Sequence, residues 1–293
     1  MQEKHAIPTD RSVELLKELH ILTRDGRLNQ DSRRKLKQVE HLIGFIAPLI
    51  NEIKSKRAEV QLADIGAGKS YLGFMLYDRF ARHGAGGVAV HGIETRAALV
   101  DRSRALAARL GFEGMRFHRL DAASAHEDGG LPARIDIVTA LHACDTATDD
   151  AIRFALARRA PCVVLAPCCQ AEVAALLRRN KQQALANPLA ELWRHPIHTR
   201  EFGSHVTNVL RCLQLQAHGY RVSVTELVGW EHSLKNELIV ARQEHRPGRV
   251  AAERLQMLLS QLGLEDLHKR FFILENIREM ANMAILDRTR SLS

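Results

Sequence analysis

Between Val60 and Ala241, apolar runs of strand length alternate with helical patterns, and the last two runs break that alternation. Val60–Ile65, Gly87–Ile93, Met115–Leu120, Ile135–Leu141 and Pro161–Ala166 read as strands. Helices are predicted over Tyr71–His83, Ala97–Leu110 and Ala147–Arg158, and a long helical and irregular stretch follows the fifth strand. Strands joined through helices lie parallel with right-handed crossovers, which predicts a doubly wound α/β sheet. Arg221–Val228 and Glu237–Ala241 are also strand-like, but only Gly229–Asn236 separates them. No helix fits in that gap, so the pair must form an antiparallel hairpin. The expected architecture is a seven-stranded, mostly parallel, Rossmann-like sheet that ends in a β-hairpin.

Helical patterns flank this region. Leu15, Leu16, Leu19 and Leu22 recur at helical spacing, as do Leu36, Val39, Leu42, Ile43 and Ile46, with a turn at Asp25-Gly26 between them. After the hairpin, Leu255, Leu258, Leu259, Leu262 and Leu264 suit one helix, and Phe271, Phe272, Leu274, Ile277 and Met280 another. Core packing accounts for these stripes. The expected organisation is therefore an N-terminal helical segment (1–57), the α/β domain (58–243) and a C-terminal helical extension (244–293).

Composition excludes several classes. Hydrophobic residues make up 46% and charged residues 26% of the 293, so the chain is not disordered as a whole. No run reaches the roughly 18 apolar residues of a membrane helix; the longest, Leu42–Ile53, is interrupted by Pro48 and Asn51. Met1–Asp10 is polar and does not read as a secretory signal. Five scattered cysteines are no disulfide framework, and a reducing cytoplasm is the expected setting. The net charge of +8 permits an acidic partner such as nucleic acid. Residues 11–57 hold eleven Lys and Arg against six Asp and Glu, and Arg33-Arg34-Lys35 opens the second helix. That cluster is either a solvated face or a phosphate-contacting patch.

The first strand runs into Asp64-Ile65-Gly66-Ala67-Gly68-Lys69-Ser70. Gly68-Lys69-Ser70 mimics a phosphate-binding loop, but that motif needs a glycine where Ala63 stands. The remaining reading is an acid followed by Gly-x-Gly at a strand end, where glycines let the backbone approach a ligand. S-adenosylmethionine (AdoMet), with its positive amino and sulfonium groups, suits the Asp64 carboxylate; a pyrophosphate does not. The second strand ends at Glu94, followed by Thr95, and an acid there can accept from both ribose hydroxyls of a nucleoside. The third ends Leu120-Asp121-Ala122, where an acid can accept from an adenine amine. Taken singly, each acid is equally a helix cap; together they suggest an adenosine-binding edge.

The fourth strand leads into Leu141-His142-Ala143-Cys144-Asp145-Thr146 and the fifth into Ala166-Pro167-Cys168-Cys169-Gln170. Ligands of doubly wound sheets sit outside the carboxyl ends of strands, which gathers His142, Asp145, Cys168 and Cys169 as candidate catalytic residues. Three readings stay open. His142, Cys144 and Cys168 are zinc-ligand types, a cysteine can act as nucleophile, or the cysteines form a packed pocket floor beside His142 or Asp145 as general base. No metal is assigned.

These residues carry a resemblance. Asp64–Leu72, Leu141–Asp150 and Pro167–Gln170 resemble the class I AdoMet-dependent methyltransferases of the methyltransferase-like 25 type. The second and third motifs are also similar to the eukaryotic tRNA 2′-O-methyltransferases that modify the acceptor stem. The terminal hairpin resembles the class I fold too. The resemblance spans roughly residues 36–243 and implies AdoMet binding by Asp64, Ile65, Gly66, Ala67, Gly68, Glu94, Thr95, Asp121, Ala122 and Leu141. It implies a methyl-acceptor site near His142–Asp145 and Cys168–Gln170. Ser70 stands where the family's third motif glycine falls, Asp145 where relatives often carry Gly, and Gln170 where the tRNA enzymes carry His.

For the acceptor, the hairpin loop offers Trp230 as a stacking face and Lys235 as a cation beside Asn236, itself a common turn residue. In the Trp193–Arg200 stretch, Arg194, His195, His198 and Arg200 are either phosphate readers or solvated loop residues, with Ser204 expected to cap the next helix and Gly219 to end it. The expected activity is methyl transfer from AdoMet to an oxygen or nitrogen, on RNA (tRNA or rRNA). Its alternatives are a small-molecule or protein methyltransferase, or a non-catalytic scaffold keeping the fold.

Overall fold

The computed structural model describes residues 12–23, 25–81, 87–125, 130–141, 146–167, 171–180, 188–227, 237–244 and 248–272. Its strands are β1 (Val60–Ile65), β2 (Val88–Glu94), β3 (Met115–Arg119), β4 (Ile137–Leu141), β5 (Cys162–Ala166), β6 (Tyr220–Glu226) and β7 (Glu237–Gln243). They form one sheet in the order β3-β2-β1-β4-β5-β7-β6. The first five are mutually parallel, while β7 runs antiparallel to β5 and to β6. This is the predicted doubly wound sheet with its terminal hairpin. β2 and β5 are buried along their whole length. Helices cover both faces of a parallel sheet, so its strands read as unbroken apolar runs.

The helices are α1 (Val13–Glu18), α2 (Gln30–Lys54), α3 (Tyr71–Phe80), α4 (Ala97–Arg109), α5 (Ala147–Ala157), α6 (Glu172–Arg179), α7 (Pro196–Ala217), α8 (Arg249–Gln261) and the short α9 (His268–Phe271). Ser12 and Asn29 cap the first two: Ser12 Oγ accepts from the Leu15 amide at 3.2 Å, and Asn29 Oδ1 from the Ser32 amide at 2.8 Å. The stripe Leu42, Ile43, Ile46, Leu49 and Ile50 of α2 is buried in one cluster with α1, α3, α4 and the sheet. α5 packs on the opposite face. A third cluster joins α6, α7, α8 and α9. In α8, Leu255 and Leu259 are buried as expected; the stripe members Leu274, Ile277 and Met280 lie outside the described residues.

One predicted boundary is corrected. Ser204 does not cap α7 but lies in its interior, because the helix already starts at Pro196. Proline suits the first helical position, where its missing N–H is needed by no intrahelical bond. Arg200 and His198 therefore sit in the first turns of the helix. Gly219 follows its end with φ +83°, as expected.

Candidate functional site

The chain runs outward from β1 to β3 on one side and returns to β4 on the other, so the strand order reverses between β1 and β4. Ligands of doubly wound sheets bind in the crevice at that reversal. Asp64 of β1 and Thr139 of β4 stand opposite each other there. Thr139 Oγ1 donates to Asp64 Oδ1 at 2.8 Å. Burial pushes the Asp64 carboxyl up to about 6, and the Thr139 hydroxyl pulls weakly the other way. Among the described residues little compensates the charge of Asp64.

The glycine turn follows at once. Gly66 and Gly68 take φ +65° and +59°, the left-handed region that costs other residues about 1 kcal/mol. Two bonds tie the turn to the tip of β2. The Ala67 amide donates to the Ile93 carbonyl at 3.1 Å, and the Gly68 amide to Glu94 Oε2 at 2.9 Å. Among the described residues a Cβ on Gly68 would meet nothing closer than Arg96 Nη2 at 3.8 Å, which leaves room over this turn for a ligand. Ser70, which stands where a third glycine falls in the family, is also left-handed at φ +51°. Its hydroxyl is buried and, among the described residues, has no hydrogen-bond partner. That settles the Gly68-Lys69-Ser70 mimicry. Lys69 follows the strand end too closely for a phosphate-wrapping loop, and the serine hydroxyl points inward.

Glu94 is nearly buried and heavily bonded. Arg96 Nε and the Arg96 amide both donate to Oε1 at 3.0 Å, Arg96 Nη2 donates to Oε2 at 3.0 Å, and Thr95 Oγ1 donates to Oε1 at 3.3 Å. The guanidinium pulls the carboxyl down to about 2, so Glu94 is ionised at any working pH. Asp121 is exposed two residues past β3. Its Oδ1 accepts from the Ala123 amide at 3.1 Å, opening a turn through Ala122. Leu141 ends β4 opposite Ala166 of β5. The structure thus brings Asp64, Ile65, Gly66, Ala67, Gly68, Glu94 and Thr95 together at one edge, with Leu141 on the neighbouring strand.

The acceptor-side candidates His142, Asp145, Cys168, Cys169, Trp230, Lys235 and Asn236, with Cys144, lie outside the described residues. Arg200 is exposed on α7, with its guanidinium 2.9 Å from Glu201; Arg194 pairs with Glu191 at 3.0 Å. The described cysteines, Cys162 and Cys212, are free thiols, and burial pushes them up to about 11 and about 12, so neither is a nucleophile at neutral pH. Two site residues escape a reading of the sequence. Thr139 is a hydroxyl inside an otherwise apolar strand, which was a usable signal. Arg96 is one surface arginine among many and gave none.

Residues 34–176 match a family model described as a methyltransferase domain. No curated protein matches the chain. Three solved structures show how remote the structural likenesses are. The magnesium protoporphyrin IX methyltransferase of Synechocystis, with bound S-adenosylhomocysteine, is 16% identical at a TM-score of 0.45, with 79% of this chain and 93% of that one covered. The Methanococcus jannaschii fibrillarin pre-rRNA processing protein is 12% identical at 0.42, covering 65% and 69%. An rRNA methylase of Streptococcus thermophilus is 10% identical at 0.41, covering 70% and 93%. The donor set fits AdoMet: a buried carboxylate for a cation, an ionised carboxylate at the tip of β2 for a diol, and an open glycine turn between them. Over residues 34–176 the chain is similar to a methyltransferase domain, laid on a doubly wound sheet whose donor set suits AdoMet as methyl donor.

Proposed function

We propose that the chain transfers the AdoMet methyl group to an oxygen or nitrogen nucleophile on RNA. The observation that carries the cofactor side is the pair of carboxylates, Asp64 and Glu94, on either side of the glycine turn at the strand-order reversal. Asp64 would take the ammonium of the methionyl moiety, which supplies the missing countercharge. Glu94 would take the ribose hydroxyls, with Arg96 giving way. Asp121 and Ala122 would edge the adenine. AdoMet supplies an electrophilic methyl group on a sulfonium; the protein's part is to align the nucleophile in line with that bond and to take up its proton. His142 or Asp145, at the end of β4, would be that base, with Cys168 and Cys169 flooring the pocket.

RNA is favoured by the net charge of +8 and the excess of basic residues before β1. It is favoured too by the likeness of Leu141–Asp150 and Pro167–Gln170 to the methyltransferase-like 25 type and the acceptor-stem tRNA enzymes. Trp230, Lys235 and Asn236 of the hairpin loop and Arg200 of α7 would contact the acceptor. No described helix is long and apolar enough to cross a membrane, and the expected place of action is the cytoplasm.

The test is a calorimetric titration with AdoMet and S-adenosylhomocysteine, using NAD and ATP–magnesium as controls, then incubation with methyl-labelled AdoMet and total RNA. Micromolar binding of the first two ligands alone, with label in RNA, is expected. Label in small molecules or protein but not RNA would refute the substrate assignment. Binding of neither adenosyl ligand would favour the scaffold.

A further inference from the structure

Arg211, in the middle of α7, is 1% exposed, yet it is a cation. It forks onto Asp149: Nε donates to Oδ1 at 2.7 Å and Nη2 to Oδ2 at 3.0 Å. Its third nitrogen, Nη1, donates to Asn208 Oδ1 at 3.3 Å, and Asn208 Nδ2 donates in turn to Glu237 Oε2 at 2.7 Å. From the other side, Arg270 of α9 places Nη1 2.7 Å from Glu172 Oε2 and 3.5 Å from Asp149 Oδ2. Gln214, one turn after Arg211, donates from Nε2 to the Arg270 carbonyl at 3.2 Å and so keeps α9 on α7.

The three carboxylates have one thing in common. Asp149 lies in the first turn of α5, four residues after Asp145. Glu172 opens α6, three residues after Cys169. Glu237 opens β7, directly after the hairpin loop that holds Trp230 and Lys235. Each segment proposed to face the methyl acceptor is therefore followed by a carboxylate tied into one cluster around the buried Arg211. Among the described contacts of this cluster none comes from β1 or β2, which carry the cofactor carboxylates. A buried ion pair is weak evidence for stability, since apolar residues of similar volume often do as well, but it fixes geometry. A guanidinium fork sets both distance and plane where an ammonium sets only distance.

We propose that Arg211 and Arg270 are positioning residues that hold the starts of α5, α6 and β7 in register with one another, so that the C-terminal helix α9 is part of the support on the acceptor side. The assignment of those segments to the acceptor rests on the methyltransferase reading; the mechanical linkage does not. Arg270→Gln removes the bridge between Asp149 and Glu172 and leaves the buried Arg211–Asp149 fork intact, so it is the variant that keeps the fold. Arg211→Lys is the sharper second variant, keeping the charge without the fork.

Three readouts on the full chain separate the possibilities. Hydrogen exchange in peptides covering 146–157 and 171–179 should rise together, by about ten-fold, in Arg270→Gln, and 237–243 should join them in Arg211→Lys, while 60–65 and 88–94 stay at wild-type rates in both. The AdoMet dissociation constant should stay within about two-fold of wild type. Transfer to total RNA should lose about ten-fold in kcat/KM. Faster exchange confined to 171–179, or spread equally into 60–65 and 88–94, would overturn the linkage. A loss of AdoMet affinity in step with the loss of transfer would overturn its restriction to the acceptor side. If the wild-type protein binds no AdoMet or labels no RNA, the functional reading fails, and the exchange pattern alone decides the linkage.

Discussion

Asp64 sets stability against binding, and Asp64→Asn measures the exchange rate. Burial raises its carboxyl from the ordinary 3.8 to about 6, a rise of about 2 pH units, and each unit is worth 1.36 kcal/mol. The sign follows from linkage. The native state holds the proton more tightly than the unfolded chain, so the contribution is complete below about pH 4. It is lost as pH rises through about 6, leaving the cofactor-free protein about 3 kcal/mol less stable at pH 7.5 on this account. Asn is nearly isosteric, never ionises, and keeps an oxygen to accept from Thr139. The expected result is parity with the wild type near pH 4 and a gain of about 2–3 kcal/mol at pH 7.5, read as a Tm roughly 5 °C higher. AdoMet should reverse the order. The ammonium needs the carboxylate, so wild-type affinity should strengthen from pH 5 to 7.5, and the variant should lose about 100-fold with no such pH dependence. Scanning calorimetry at the two pH values, with and without AdoMet, checks both halves. A variant less stable than wild type at pH 7.5 that still binds AdoMet normally would refute the reasoning.

Three further outcomes follow from the same geometry. Glu94→Ala should weaken AdoMet by more than about ten-fold, whereas Arg96→Ala should strengthen it a few-fold, because the guanidinium occupies the lone pairs the ribose needs; weaker binding in both would contradict this. Ser70→Gly should stabilise the protein by about 1 kcal/mol in urea unfolding, since it relieves the left-handed backbone and removes a buried hydroxyl that lacks a partner. Gly203→Ala should destabilise by about 1–3 kcal/mol although alanine favours a helix by about 1. Its Cβ would stand 2.7–2.8 Å from the Ala174 backbone and push α7 off α6; unchanged stability would show that those helices can part freely.

The sheet was legible in the sequence to within a residue or two at most strand ends, because strands covered on both faces need unbroken apolar runs and the eight-residue gap before Glu237 leaves no room for a helix. The glycine turn and the acids Asp64 and Glu94 were legible for a related reason. They are local features, each read within a few residues of a strand end. What escaped is non-local. Thr139 meets Asp64 across 75 positions and Arg211 meets Asp149 across 62, and neither residue carries a local signal of its partner. The start of α7 escaped because Pro196 reads as a loop breaker unless it is known to stand first in the helix. This division has a functional side. The cofactor edge is built from short contiguous motifs, so remote sequences can share it and a family model can find it. The acceptor side is braced by α7 and α9, which lie beyond the matched residues 34–176. Substrate choice can therefore change with helices that the shared motif does not contain, and it is through α7 and α9 that the acceptor of this chain has to be sought.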